Sequence, residues 1–347
     1  DEFIIIMQNF ENIEEVILRT ERVLNCLHQP IIVNKTSFFT TLSIGISLYP
    51  IHATSLETLI KYADMAMYKS KENGKNQYTL YMDNMNSEIT ETYEISHLLN
   101  EAINEYQFEL HYQPQVCMTS GKIIGVEALV RWIHPTKGFI SPAKFIPIAE
   151  ETGLIIKLGD CILLNACKTR KKWLDEGLDH IRVAVNISLK QFQQEDFIEK
   201  VLATLEETGL DGCYLELEIT ESIAMNNPEE VIQKLQILQN YNIYISIDDF
   251  GMGYSSLNYL KRLPIQQLKI DRAFIQDIEH ETDYAIVKSI ITMAQSLGLD
   301  VVAEGVETQN QANILTQLNC SVAQGYLYYK PMPEHLVKDV LLGKRES

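Results

Sequence analysis

No cysteine of this chain stands in a CxxC pair, no two histidines stand at HExxH spacing, and no apolar run approaches the ~18–20 residues of a membrane span. The six cysteines (Cys26, Cys117, Cys161, Cys167, Cys213, Cys320) are scattered. That pattern predicts buried, reduced thiols in a cytoplasmic protein and argues against a disulfide framework or a zinc site. The early apolar run FIIIM is short, and no basic segment precedes it, so neither a membrane contact nor a signal peptide is expected in this segment. Basic residues are also scarce: 29 lysines and arginines face 47 acids, for a net charge of −18. Such a surface repels a nucleic-acid duplex. A small anionic ligand can still bind where local cations screen the acids. Nor is there a Gly-rich dinucleotide turn after an early strand, which disfavours an open doubly wound sheet.

What is present is a globular composition, 46% hydrophobic over 347 residues, with room for roughly two domains of ~150 residues or for one larger barrel. From residue 108 onward short apolar strands alternate with amphipathic segments. The strands read as 108–116, 123–132, 181–188, 213–220, 243–250, 266–271, 299–306 and 321–326. Between them, residues 141–177 have a Ser-Pro opening and a Gly stop. PEEVIQKLQILQNY opens on Pro and acids, as helix N-termini prefer, and TDYAIVKSIITMAQSLG and QNQANILTQLN carry apolar residues three and four apart. Eight strands alternating with helices predict a (β/α)8 barrel of the TIM type. Residues 1–81 differ, with an α+β pattern that opens mid-strand at FIIIM. Residues 82–92 read as a helical linker, and the barrel domain as 93–347.

In such barrels the site forms at the C-terminal strand ends. Strand two delivers Glu127 and then Arg131. Strand three ends in Asn186, and strand four in Glu218 with Glu221 behind it. Strand five ends in the adjacent pair Asp248 and Asp249, strand six carries Lys269, strand seven ends in Glu304 with Glu307 behind it, and strand eight carries Gln324. A bare carboxylate in an apolar strand is costly to desolvate. Any one of these acids is explained by a turn or a helix cap; convergence from five strands is not. Oxygen donors without Cys or His suit hard divalent cations, Mg2+ or Mn2+. Two adjacent aspartates would let one carboxylate bridge two ions ~3.5–4 Å apart. Gly251 and Gly253 would permit the sharp turn that follows.

The ordered run GVEALVRW, NIS, LEIT-E, DDFGMGYSS, LKID, AEGVET and QGY resembles the EAL domain family over about residues 93–340. The tripeptide alone would carry nothing; the ordered set does. The resemblance implies a modified TIM barrel that hydrolyses cyclic di-GMP to linear pGpG with two Mg2+ or Mn2+ ions. A two-metal-activated water would attack one phosphorus in line and expel a 3′ oxygen. It further implies that Glu127, Asn186, Glu218 and Asp248 bind one metal and that Asp248, Asp249 and Glu304 serve the other. Lys269 would orient the water or contact the phosphate, and Arg131, Gln113 and Gln324 would contact the substrate. Glu221 and Glu307 would support the loops, Glu221 also coupling the site to a homodimer formed through the EAL domain. Met252 stands where the family usually has Thr, which is expected to alter loop packing and leave the chemistry intact.

The opening Asp-Glu-Phe, SIGISLYP and ADMAMYKSKENGKNQY resemble the C-terminal part of a GGDEF, diguanylate cyclase-like, domain. Its signature glycines and first half are absent from this sequence, so the chain is expected to be truncated there and not to make cyclic di-GMP. The principal rival to an enzyme is a cyclic di-GMP receptor or docking module. Degenerate EAL domains of that kind lose metal ligands; here every ligand position that can be placed is filled.

Overall fold

The computed structural model describes residues 3–26, 31–33, 36–38, 40–72, 74–105, 107–178, 180–225, 227–251 and 257–343. They fall into two compact units, Asp1–Ile95 and Ser96–Ser347. The division lies within one helix, Asn84–Asn104.

In the first unit, helix Ile13–Asn25 starts where Asn12 accepts the Glu15 N–H at 2.9 Å, with Glu14 and Glu15 in its first turn. The parallel strands Ile44–Ile46 and Tyr78–Leu80 pair with each other, and helix Leu56–Glu72 forms the crossover between them. Gly45 is required there, since a Cβ would sit 1.9 Å from the Ala63 carbonyl oxygen of that helix. The strand expected at FIIIM is not formed. An extended run becomes a strand only where a neighbour supplies its hydrogen-bond ladder, and among the described residues none pairs with it. Phe3 to Ile6 are instead 62–83% exposed.

The second unit is a closed eight-strand barrel: β1 Phe108–Cys117, β2 Ile123–His134, β3 Arg182–Ile187, β4 Leu215–Thr220, β5 Tyr244–Phe250, β6 Gln267–Ile270, β7 Asp300–Ala303 and β8 Val322–Ala323. They neighbour one another in that order, and the β1–β2 pairing closes the ring. From β2 to β8 each neighbour runs parallel, whereas β1 runs antiparallel to both β2 and β8. The physical reason is the link between β1 and β2. Residues 118–122 make a tight turn, and a parallel return needs a crossover of a dozen or more residues. Short strands Gly138–Ile140 and Met332–Pro333 extend the sheet beside β2 and β1.

Alternation then sorts the side chains. Val183, Val185 and Ile187, Leu215, Leu217 and Ile219, Ile245 and Ile247, and Leu268 and Ile270 are buried in the shell between strands and helices. The residues between them face into the barrel. Residues 141–177 form two helices rather than one, Pro142–Thr152 and Ile155–Asp175, because Gly153 adopts a left-handed φ of 79° and ends the first. All six cysteines are free, but Cys26 and Cys213 are exposed rather than buried. Met252 and Gly253 lie outside the described residues. Among the described residues no helix is long and apolar enough to cross a membrane.

Candidate active site

Inward-facing residues of such a barrel stack in layers drawn from alternate strands. The even strands contribute Glu127, Glu218, Lys269 and Gln324, and their heads meet. Lys269 Nζ lies 2.8 Å from Glu218 Oε1 and 3.7 Å from Glu127 Oε2, and Gln324 Nε2 donates to Glu127 Oε2 at 2.5 Å. The odd strands add Asn186, Asp248 and Glu304 toward the C-terminal mouth. Asn186 Nδ2 donates to Glu127 Oε1 at 2.7 Å; Glu304 Oε1 and Asp248 Oδ1 lie 2.7 and 3.2 Å from Lys269 Nζ.

The adjacent aspartates need a special device, because alternation sends neighbouring residues to opposite faces. The register between β5 and β6 slips between Ile247 and Phe250, and Asp249 takes a left-handed φ of 52°. This is a β-bulge. It turns both carboxylates toward the mouth, where Asp248, Asp249 and Glu304 each offer an oxygen within 4.8 Å of the others. Glu127, Glu218 and Asp248 form a second such group, so Asp248 belongs to both. The turn beyond the bulge is tied down by Glu221, whose Oε2 accepts the Gly251 N–H at 3.2 Å. Gly251 has φ 105°, and a Cβ there would meet the Phe274 ring at 2.8 Å.

The electrostatics are unbalanced. Lys269 is fully buried, and one ammonium faces four carboxylates. Like charges ~4 Å apart repel by ~4 kcal/mol per pair at an effective dielectric constant of about 20. Burial opposes the Lys269 ammonium, yet Asp248, Glu127, Glu218 and Glu304 together hold its pKa well above the usual lysine value. Burial drives Glu218 well above the carboxylate range, against the pull of Lys269. Burial, opposed by Lys269 and reinforced by Asp248 and Glu127, pushes Glu304 up to about 8. Burial, Asp248 and a hydrogen bond with Asp271 raise Asp249 to about 6.

These residues fit a pair of hard divalent cations. The donor set is all oxygen. Among the described residues both oxygens of Glu218 are buried without a hydrogen bond, and Oε1 meets the Lys269 ammonium as an ion pair. A carboxylate so placed leaves Oε2 available to a metal while Oε1 faces the ammonium.

The remaining sequence-predicted residues fall around this centre. Gln113, on β1, donates to the Tyr329 carbonyl at 3.0 Å and accepts from Gln324 at 3.2 Å. Both glutamines are buried; Gln324 bonds the Glu127 carboxylate, and Gln113 stands directly across from Glu127 in the β1–β2 pairing. Arg131 is half-buried on the same inward face as Glu127; burial lowers its pKa, while Tyr326 and Glu127 raise it. Glu307 is exposed, and its backbone N–H is held by Gln311. Asp271 was missed in the sequence. It stands two residues past Lys269, caps helix Arg272–Gln276 by accepting the Ala273 N–H at 2.7 Å, and bonds Asp249. Its period-two spacing from Lys269 was the available signal.

Residues 97–331 match the EAL domain family, and the chain belongs to that family. Residues 1–77 match the family described as diguanylate cyclase, GGDEF domain. Among curated relatives, the bifunctional diguanylate cyclase/cyclic di-GMP phosphodiesterase MucR of Pseudomonas aeruginosa is 41% identical over 98% of this chain and 50% of its own length. The cyclic di-GMP phosphodiesterase PdeR of Escherichia coli is 35% identical over 96% of this chain and 50% of its own. The chain thus spans about half the length of these relatives. Among solved structures, the PaMucR phosphodiesterase in complex with c-di-GMP is 45% identical, with a TM-score of 0.69 over 70% of this chain and 99% of that one.

Proposed function

We propose that the barrel hydrolyses cyclic di-GMP to linear pGpG with the help of two divalent cations, Mg2+ or Mn2+. One observation carries the reading: two carboxylate groups, Glu127–Glu218–Asp248 and Asp248–Asp249–Glu304, share Asp248 beside a buried lysine. The likeness to MucR and PdeR supports cyclic di-GMP as the substrate.

In this reading Glu127, Asn186, Glu218 and Asp248 hold one cation, and Asp248, Asp249 and Glu304 hold the other. When bound, the pair supplies Lewis-acid stabilisation of the phosphoryl oxygens and lowers the pKa of the attacking water. Arg131 grips a phosphate, giving a charge-assisted contact that fixes the ester for in-line attack. Lys269 holds its proton at Nζ and orients the water or the phosphate by charge. Gln324, backed by Gln113, holds the Glu127 carboxylate, and Glu221 holds the turn that carries Asp249. A P–O bond forms to the water oxygen, the P–O3′ bond breaks, and the leaving 3′ oxygen takes a proton, so the product keeps a 5′ phosphate.

The test is incubation with cyclic di-GMP in Mn2+, in Mg2+ and in chelator, resolved by chromatography. The expected outcome is pGpG in either metal and intact substrate in chelator. Saturable binding without pGpG in either metal would identify a receptor and defeat the reading.

A further inference from the structure

Beneath the site lies a polar layer that the proposed chemistry does not use. Two residues before Glu218, on the same inward face of β4, stands Glu216, 1% exposed. Two residues before Lys269, on β6, stands Gln267, also buried, and its Nε2 donates to Glu216 Oε1 at 2.7 Å. Arg182, at the start of β3, places Nε 3.7 Å from Glu216 Oε2 and stacks its guanidinium 3.7 Å above the ring of Tyr244 on β5. Tyr244 in turn donates from its hydroxyl to Asp300 Oδ2 on β7 at 2.7 Å. Five consecutive strands are tied together at this level.

Stability alone does not account for a carboxylate here. Barrel interiors are ordinarily filled by branched apolar side chains, and replacing a buried ion pair by packed hydrophobes is often neutral or stabilising. What the layer does is geometric. The Glu216–Gln267 bond spans β5 and joins β4 to β6 one inward residue below the point where Glu218 and Lys269 meet at 2.8 Å. It fixes the separation and height of the two strands that present them.

Resting on the function proposed above, we infer that Glu216, clamped by Gln267 and Arg182, is a positioning residue that sets the metal affinity of the site through Lys269 and Glu218. Outer partners of metal ligands commonly change affinity or activity by about 10–100-fold when removed.

The test compares the wild-type chain with Glu216→Gln and Gln267→Met, by calorimetric Mn2+ titration without substrate, by turnover across a Mn2+ series, and by thermal melting. The expected result is half-saturating Mn2+ raised about 10–100-fold in whichever variant folds. KM for cyclic di-GMP at saturating Mn2+ should stay near the wild-type value. The exchange Glu216→Gln with Gln267→Glu restores the amide–carboxyl bond and should bring the titration back toward wild type. A merely structural role would lower the melting temperature and leave the Mn2+ titration where it was; that result overturns the inference. Gln267→Met keeps the buried carboxyl group and nearly the side-chain volume, so it decides the matter if Glu216→Gln does not fold. If the wild type takes up Mn2+ but leaves cyclic di-GMP intact, the functional reading falls while the calorimetry still judges Glu216. A wild type that takes up no Mn2+ overturns both.

Discussion

Replacing Lys269 by Met keeps the length of the side chain and removes its charge, which isolates what the ammonium does for the acid ring. Three carboxylate oxygens lie 2.7–3.2 Å from Nζ, and the lysine is fully buried. Removing one partner of a buried pair costs about 3–5 kcal/mol, because the other is left uncompensated. A unit of roughly 250 residues loses about 2–4 °C of melting temperature per kcal/mol, so the expected fall is about 6–20 °C. The measurement is a thermal melt in chelator. Divalent cations then take over the neutralisation, since a ligand at a hundred times its Kd stabilises by about 2.7 kcal/mol. Saturating Mn2+ should therefore recover much of the loss. Turnover should not return with it, staying down by about 10²–10³, the usual effect of removing one preorganised donor at a developing charge. A Lys269→Met chain that melts with the wild type in chelator would refute the claim that the ammonium holds the ring together.

Glu127→Ala and Asp248→Asn should each lower turnover by at least about 10²-fold with the melting curve of a folded protein, measured by pGpG formation in Mn2+; near-normal turnover in either removes that residue from the site. Gly251→Ala places a Cβ 2.8 Å from the Phe274 ring at a left-handed φ, so it should destabilise by about 1–3 kcal/mol and reduce turnover through the Asp249 turn, with denaturant melts as the check. Stability in chelator should fall as pH rises. Glu304, raised from 4.5 to about 8, binds its proton more tightly folded than unfolded. Its contribution is complete below about pH 4.5 and lost on passing about pH 8, and Asp249, at about 6, adds to the early part of that loss. Melts at about pH 5.5 and pH 8.5 should show the higher value in acid, and a flat or reversed trend would contradict the shifts.

Most of the barrel was legible because its strands carry two messages at once. In RVAVNI and LELEIT the outward residues are unbroken aliphatics, and the inward ones are polar at the C-terminal end. The alternation sets the sheet, and the polar ends set the mouth. The reversed β1 was less legible. Residues 118–122 leave room only for a tight turn, and reading that spacing as a hairpin would have given the antiparallel start. FIIIM has strand-like composition, but composition cannot supply a partner strand.

Strict alternation, followed to its end, gives a wrong answer at Asp248 and Asp249, since it sends one of them out of the barrel. Only a backbone irregularity brings both to one side, and a bulge is a property of pairing between strands that leaves little trace in either strand alone. Its cost, an aspartate at φ 52°, is tolerated because Glu221 and Gly251 pin the turn behind it. Followed one step further down the other strands, the same alternation does succeed. Two residues back from Glu218 and from Lys269 it reaches Glu216 and Gln267, and two residues forward from Lys269 it reaches Asp271. The acids at the mouth were conspicuous because they interrupt apolar runs near strand ends; the polar residues beneath them were overlooked because a strand beginning reads as surface until the barrel closes around it.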